Sequence, residues 1–104
     1  MNTDTAGGEA LEAREWLVEG RVQGVGFRAA TRRRAGEVGV RCLAENLTDG
    51  RVRVLGLGRA DALGQLGAWL RHGPSAARVD ALEEREAQAE ALESALDGER
   101  SGRR

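Results

Sequence analysis

A turn signal near the middle of the chain constrains the fold more than any other feature. Asp49-Gly50, within residues 47–50, supplies the positive-φ positions that a tight hairpin turn needs. In the flanking segments 40–46 and 51–57, apolar residues alternate with Arg or Glu. This alternation predicts two antiparallel strands joined by the turn. A hairpin at this place argues against a parallel, doubly wound sheet.

Segments of helical spacing lie on both sides of the hairpin. Apolar residues follow a helical stripe over residues 28–38 and again over about 59–72, where Gly73-Pro74 ends the second pattern. Alternation predicts a first strand over 15–22 and a weaker fourth strand over 78–83. The order β-α-β-β-α-β predicts an α+β fold, a ferredoxin-like split β-α-β sandwich with an antiparallel sheet and two helices on one face.

Composition divides the chain into three parts. Residues 14–82 contain 18 of the 21 Leu, Val and Phe residues, and they carry 12 arginines against 7 acidic residues. The overall net charge of −1 therefore conceals a basic domain with acidic ends. We expect a flexible leader at 1–13, a domain at 14–83 and an acidic, Ala/Glu-rich tail at 84–104. The tail favours a solvated helix over residues 84–97.

Several classes of protein are disfavoured by the sequence. No apolar run approaches the roughly 18 residues of a membrane span, and no apolar signal-peptide region is visible. The single cysteine, Cys42, excludes an internal disulfide framework, and with the single histidine, His72, it makes a protein-only zinc site improbable. We expect Cys42 to be a sheet residue and His72 to lie at the C-terminal end of a helix. We expect a soluble cytoplasmic protein.

The segment Gly20-Arg21-Val22-Gln23-Gly24-Val25-Gly26-Phe27-Arg28 joins the first strand to the first helix. Gly24 and Gly26 let the backbone curl, so that several N–H groups converge at the positive end of the helix dipole. Such a nest binds anions, particularly phosphate. Arg28 stands at the start of the helix, where its planar guanidinium could grip two oxygens of the same anion.

Two generic nucleotide-binding motifs and a plain turn are alternative interpretations of this loop. Gly24-x-Gly26-x-x-Ala29 matches the dinucleotide fingerprint in spacing, but that site needs a parallel β-α-β unit. A nucleotide P-loop is excluded because the chain has no Gly-Lys-Ser/Thr. An isolated Gly-x-Gly would be a plain turn with Arg28 on the surface. Residues 32–34, all Arg, read as a solvated helix face or as residues that steer anionic substrates.

The whole string from Gly20 to Arg28 resembles the signature loop of the acylphosphatase family. The resemblance covers residues 15 to about 82 and includes Asn46-Leu47-x-Asp49-Gly50 and Trp69-Leu70-Arg71-x-Gly73-Pro74. It implies hydrolysis of acyl phosphates to a carboxylate and inorganic phosphate, without metal or cofactor. The chain departs from the family pattern around Cys42 and at Thr48, and the family's final edge strand is not recognisable.

The resemblance also implies roles for individual residues. Arg28 binds the phosphate, and Asn46, which alone would read as a strand-end residue, orients the attacking water. The backbone N–H groups of five residues form the cradle: Gln23, Gly24, Val25, Gly26 and Phe27. We expect a monomer whose partner is a small acyl phosphate, with inorganic phosphate as product and with no nucleic acid or membrane.

Two other functions stay open at this point. A catalytically silent phosphate-binding or regulatory relative would keep the cradle and lack the turnover. A nucleic-acid-binding module shares the β-α-β-β-α-β order and would suit the basic domain. That module needs paired aromatic residues on its strands for base stacking, whereas the aromatic residues here are only Trp16, Phe27 and Trp69.

Overall fold

The computed structural model describes residues 10–101, which form four strands and three helices. The elements are β1 (Glu12–Arg21), α1 (Phe27–Val38), β2 (Arg41–Asn46), β3 (Val52–Gly58), α2 (Ala60–Leu70), β4 (Arg78–Ala87) and α3 (Ala89–Ser101). The first six elements follow the predicted β-α-β-β-α-β order, and α3 follows them.

The four strands form one sheet in the order β2-β3-β1-β4, and each neighbouring pair is antiparallel. This is the predicted ferredoxin-like arrangement. The hairpin between β2 and β3 is closed by the Leu47 N–H, which donates to the Arg51 carbonyl at 2.8 Å. Gly50 has a positive φ of 97°, as predicted, whereas Asp49 does not have a positive φ, so the prediction for Asp49 is wrong.

The main core lies between one face of the sheet and the helices α1 and α2. Alternate residues of the strands point to this face, because successive side chains of a strand project to opposite sides. Both helices contribute apolar residues to the same core, which confirms that they share one face of the sheet. Its buried members include Trp16, Val18, Ala44, Val54, Phe27, Ala35, Leu63, Leu66 and Leu70.

The fourth strand is longer than predicted. Residues 84–87, expected at the start of a helix, continue β4, and α3 begins only at Ala89. Trp16 explains the difference, because this fully buried side chain donates its indole N–H to Oε1 of Glu84 at 3.1 Å. In the ladder, Trp16 lies opposite Glu84, so the paired strand satisfies a buried donor that a helix there would leave unpaired.

The start of β1 corrects the predicted leader. Residues 1–9 lie outside the described part of the chain, but Glu12 and Ala13 belong to β1. Ala13 is 6% exposed and pairs with Leu57 on one side and Ala87 on the other. The leader prediction is therefore wrong for these two residues, because their small and polar composition conceals a strand that the sheet pairs on both sides.

The second face of the sheet is covered by α3. Leu92 and Leu96 are buried against Ala13 and Leu57, so this helix is not solvated on all sides. The predicted boundary between domain and tail, residue 83, lies within β4, and only one residue separates the end of β4 from the start of α3. Apart from residues 12 and 13, the division into leader, domain and tail stays a prediction. Among the described residues no helix is long and apolar enough to cross a membrane.

Candidate active site

The loop between β1 and α1 combines two left-handed glycines with the open end of a helix. Gly24 and Gly26 have φ values of 76° and 77°. Gly26 is the N-cap of α1 and provides no side chain to cap the helix. The first N–H groups of a helix have no acceptor within it. Backbone donors and the positive end of the helix dipole therefore meet at this loop.

Open space surrounds both glycines on the side where a side chain would project. A Cβ built on Gly24 or Gly26 would meet no heavy atom within 4 Å. Glycine is therefore needed here for its backbone conformation, while the loop leaves room for an anion to approach the N–H groups. Phe27 holds the start of the helix in the core, since this residue is 1% exposed and the centroid of its ring lies 6.1 Å from that of Trp69.

A cavity of about 180 Å³ opens at this loop, and it is lined by residues of the loop and of two elements, α1 and β2. It is small beside the roughly 300–1,000 Å³ of common ligand pockets, which suits a small substrate. Its lining contains two arginines and no acidic side chain, so it favours an anion. The lining residues are Val22, Gly24, Gly26, Phe27, Arg28, Ala29, Arg32 and Asn46.

Asn46 reaches the cavity because of its register in β2. It is the last residue of the strand, opposite Val52. Ala44, two residues earlier, belongs to the core beneath α1 and α2. Side chains two apart on a strand share a face, so Asn46 projects to the side of the sheet where α1 begins. The structure therefore brings Asn46 and Arg28 to one cavity.

The side chain of Gln23 ties the loop to the hairpin. Its Nε2 donates to the Leu47 carbonyl at 2.8 Å and to the Arg51 carbonyl at 3.0 Å. The hairpin is itself held by Asp49, which accepts from the Arg51 N–H at 3.0 Å and from its Nε at 2.9 Å. These hydrogen bonds lower the pKa of the Asp49 carboxyl below its ordinary value, so the pair is ionised near neutral pH.

The predicted site residues separate into two groups. Gly24, Gly26, Phe27, Arg28 and Asn46 line the cavity, whereas Gln23 and Val25 are not among its lining residues. Of the residues set aside on sequence grounds, Cys42 lies in β2 against the core. His72 is exposed just after α2. The cavity thus contains no histidine, cysteine or carboxylate.

Arg32 is exposed, as predicted for a solvated helix face, and it also lines the cavity. It lies four residues after Arg28 in α1, a spacing that puts two side chains on the same face of a helix. Its Nη2 donates to the Ala44 carbonyl at 3.2 Å. The i, i+4 relation to Arg28 was a signal available in the sequence, but the contact of Arg32 with the Ala44 carbonyl was not.

Larger depressions occur elsewhere on the described surface. One of about 600 Å³ lies where β1 begins and β4 ends, and one of about 340 Å³ lies beside the hairpin turn. Neither joins a helix N-terminus to an arginine and an amide side chain, so the smaller cavity is the better candidate for phosphate chemistry.

Within residues 10–101 no group of three or more His, Cys, Asp or Glu side chains could hold a metal ion.

Comparison with known proteins finds matches in both sequence and structure. The family model named Acylphosphatase matches residues 14–95. An acylphosphatase of Alkalilimnicola ehrlichii is 49% identical over 72 residues, which cover 69% of this chain and 81% of that protein. One of Nitrobacter hamburgensis is 46% identical over 87 residues, covering 84% and 88%. The solved structure of an acylphosphatase from Coxiella burnetii has a TM-score of 0.71 and 32% identity, covering 74% of this chain and 81% of its own.

Proposed function

The chain belongs to the acylphosphatase family of enzymes, and we propose that it hydrolyses acyl phosphates in the cavity between the β1–α1 loop and the end of β2. The observation that carries the proposal is the convergence of Arg28, Asn46 and the two loop glycines on that cavity. The products are a carboxylate and inorganic phosphate.

The phosphoryl group is held by the loop. Backbone N–H groups of residues 23–27 and the positive end of α1 face its oxygens, and the Arg28 guanidinium donates two parallel hydrogen bonds to it. The backbone donors are positioned by the loop and the helix before substrate arrives, so they stabilise the charge on the equatorial oxygens in the transition state without reorganisation. Binding and rate acceleration therefore come from the same groups.

The attacking water is oriented by Asn46. Its amide oxygen accepts a hydrogen bond and its NH₂ group donates, so the side chain can fix a water without taking a proton from it. The water and the leaving carboxylate lie roughly in line across phosphorus. A carboxylate is a weak base, so it departs without protonation by a general acid. This chemistry accounts for a site that has no histidine or carboxylate at its lining.

We further propose that the reaction needs neither metal nor cofactor, because Arg28 and the N–H groups supply the positive charge that a metal would bring. A cytoplasmic monomer that binds neither nucleic acid nor membrane stays our prediction. Activity that persists after chelation of divalent ions supports the metal-independent proposal, and activity lost on chelation and regained with a metal contradicts it.

The proposed roles are tested by two variants assayed with acetyl phosphate. Arg28→Ala should weaken competitive inhibition by inorganic phosphate about tenfold to hundredfold, the range for a charge-assisted hydrogen bond. Asn46→Ala should lower kcat about a hundredfold or more and leave inhibition by phosphate unchanged. Arg33→Ala, an exposed arginine of the same helix outside the cavity lining, is the matched control.

The results for the two variants and the wild type distinguish the proposed roles from their alternatives. Full activity in Arg28→Ala at unchanged KM contradicts the phosphate-binding role, and loss of phosphate inhibition in Asn46→Ala contradicts water positioning. A wild-type protein that binds phosphate but does not turn over acetyl phosphate supports the silent relative instead. A phosphate monoester should not be hydrolysed, because its alkoxide or aryloxide leaving group is a stronger base than a carboxylate.

A further inference from the structure

Arg32 forms a direct link between the helix that carries Arg28 and the strand that carries Asn46. It follows Arg28 by four residues in α1 and lines the same cavity. Its Nη2 donates a hydrogen bond of 3.2 Å to the carbonyl of Ala44 in β2. Ala44 precedes Asn46 by two residues, about 7 Å along the strand.

This link matters because the two proposed catalytic groups belong to different elements. The position of Arg28 depends on α1, whereas that of Asn46 depends on the end of β2. In the described sheet β2 is an edge strand that pairs with β3 on one side. The end of an edge strand is less constrained than a central strand, so a side-chain bond from α1 reduces its freedom relative to the phosphate site.

We propose that Arg32 is a positioning residue that holds the Asn46 end of β2 at a fixed distance from the phosphate cradle. The inference rests on the proposed function, and it assigns to Arg32 an effect on turnover that acts through Asn46. A displacement of about 1 Å between a bound reactant and its partner can cost about a hundredfold in rate, so a single hydrogen bond at this place can be kinetically visible.

The competing role for Arg32 is direct binding of phosphate. Its guanidinium carries five N–H donors, and the bond to Ala44 uses only one of them. Two observations favour positioning. Arg32 lies one helical turn, about 5–6 Å, further from the helix N-terminus than Arg28. Its hydrogen bond to Ala44 is also with β2, the strand that carries Asn46, and not with the glycine loop.

The experiment is a double-mutant cycle between Arg32 and Asn46. Arg32→Met keeps much of the aliphatic stem and removes the donors, and it should lower kcat for acetyl phosphate about tenfold, the value of one charge-assisted hydrogen bond. Inhibition by inorganic phosphate should change less than about twofold. In the Asn46→Ala background, Arg32→Met should change kcat less than about twofold, because the group through which it acts is gone.

Two further variants separate positioning from a general structural effect. Arg32→Lys retains one donor for the Ala44 carbonyl and should restore part of the lost kcat, whereas Arg33→Met should leave kcat unchanged. Thermal unfolding of each variant ensures that rates are compared between folded proteins.

The inference is overturned by equal kcat values in Arg32→Met and Arg33→Met, or by an undiminished effect of Arg32→Met in the Asn46→Ala background. A weakening of phosphate inhibition as large as that of Arg28→Ala would identify direct binding instead. A wild-type protein without acylphosphatase activity overturns the proposed function together with the inference, whereas an active wild type with an unaffected Arg32→Met overturns the inference alone.

Discussion

At the scale of single residues, the site depends most on a backbone conformation that other residues adopt poorly. Gly26 has a φ of 77° at the N-cap of α1, and the space around its missing side chain is open. A residue with a Cβ would be strained by its own backbone and not by a clash. The strain would be relieved by changing the curve of the loop, which would turn N–H groups away from the proposed phosphate site.

Gly26→Ala should therefore lower both stability and phosphate affinity. We expect the free energy of unfolding to fall by about 1–2 kcal/mol, the cost of a left-handed conformation for a residue with a Cβ. Inhibition by inorganic phosphate should weaken in the same variant. Denaturant unfolding and inhibition kinetics measure the two effects.

Gly36→Ala is the matched control for that prediction. Gly36 lies inside α1, is exposed and also has no heavy atom within 4 Å of a built Cβ. The substitution should stabilise the protein by about 0.5–1 kcal/mol and leave phosphate inhibition unchanged. Unchanged phosphate inhibition in Gly26→Ala would show that the curved loop is not the phosphate cradle.

At the scale of elements, turn chemistry and periodicity predict the order of the strands and helices. Asp49-Gly50 predicts the central hairpin, and the two helical stripes predict α1 and α2 to within about two residues. Residues 84–87 are different, because a sequence of Glu, Arg, Glu and Ala suits a solvated helix as well as an edge strand. The deciding partner, the indole of Trp16, is 68 residues away in the chain.

The same limit applies to the candidate site. The glycine loop and Arg28 are local features that the sequence predicts, and Asn46 is assigned through the family resemblance. The contact of Arg32 with Ala44 depends on which face of α1 meets β2. The apolar stripe of α1 predicts which face is buried, but it does not predict which residue of β2 a given side chain contacts. Long-range side-chain hydrogen bonds therefore need the structure.

The Trp16–Glu84 bond gives a prediction about the length of β4. Glu84→Ala leaves the indole N–H of a fully buried tryptophan without its acceptor, which should lower the free energy of unfolding by about 1–3 kcal/mol. Glu86→Ala, at an exposed position of the same strand, should change it by less than about 0.5 kcal/mol. Equal effects of the two substitutions in denaturant unfolding would contradict this account.

At the scale of the whole molecule, the sheet separates the candidate site from a second hydrophobic cluster. The cavity lies on the face that carries α1 and α2, whereas α3 packs Leu92 and Leu96 on the opposite face. An ion pair of 3.1 Å between Arg41 and Asp97 also joins α3 to β2. The acidic C-terminal part thus contributes to stability from the side of the sheet that is remote from the cavity.

Leu92→Ala should consequently lower stability without changing catalysis in the folded state. Truncation of this buried leucine should cost about 2–5 kcal/mol, while kcat and KM for acetyl phosphate stay unchanged below the unfolding transition. Leu11→Ala is the control, since Leu11 is 52% exposed and its truncation should have little effect. A fall in kcat that accompanies full retention of folded structure would show that the two faces are coupled.

In the proposed reaction, water attacks phosphorus while the loop and Arg28 stabilise the phosphoryl group. The most direct measurement is hydrolysis of acetyl phosphate by the wild-type protein in water enriched in heavy oxygen, followed by mass analysis of both products. Attack at phosphorus places the heavy oxygen in inorganic phosphate and leaves acetate unlabelled, which is the predicted result. Heavy oxygen in acetate would mean attack at the carbonyl carbon and would contradict the roles given to Arg28, Asn46 and the loop.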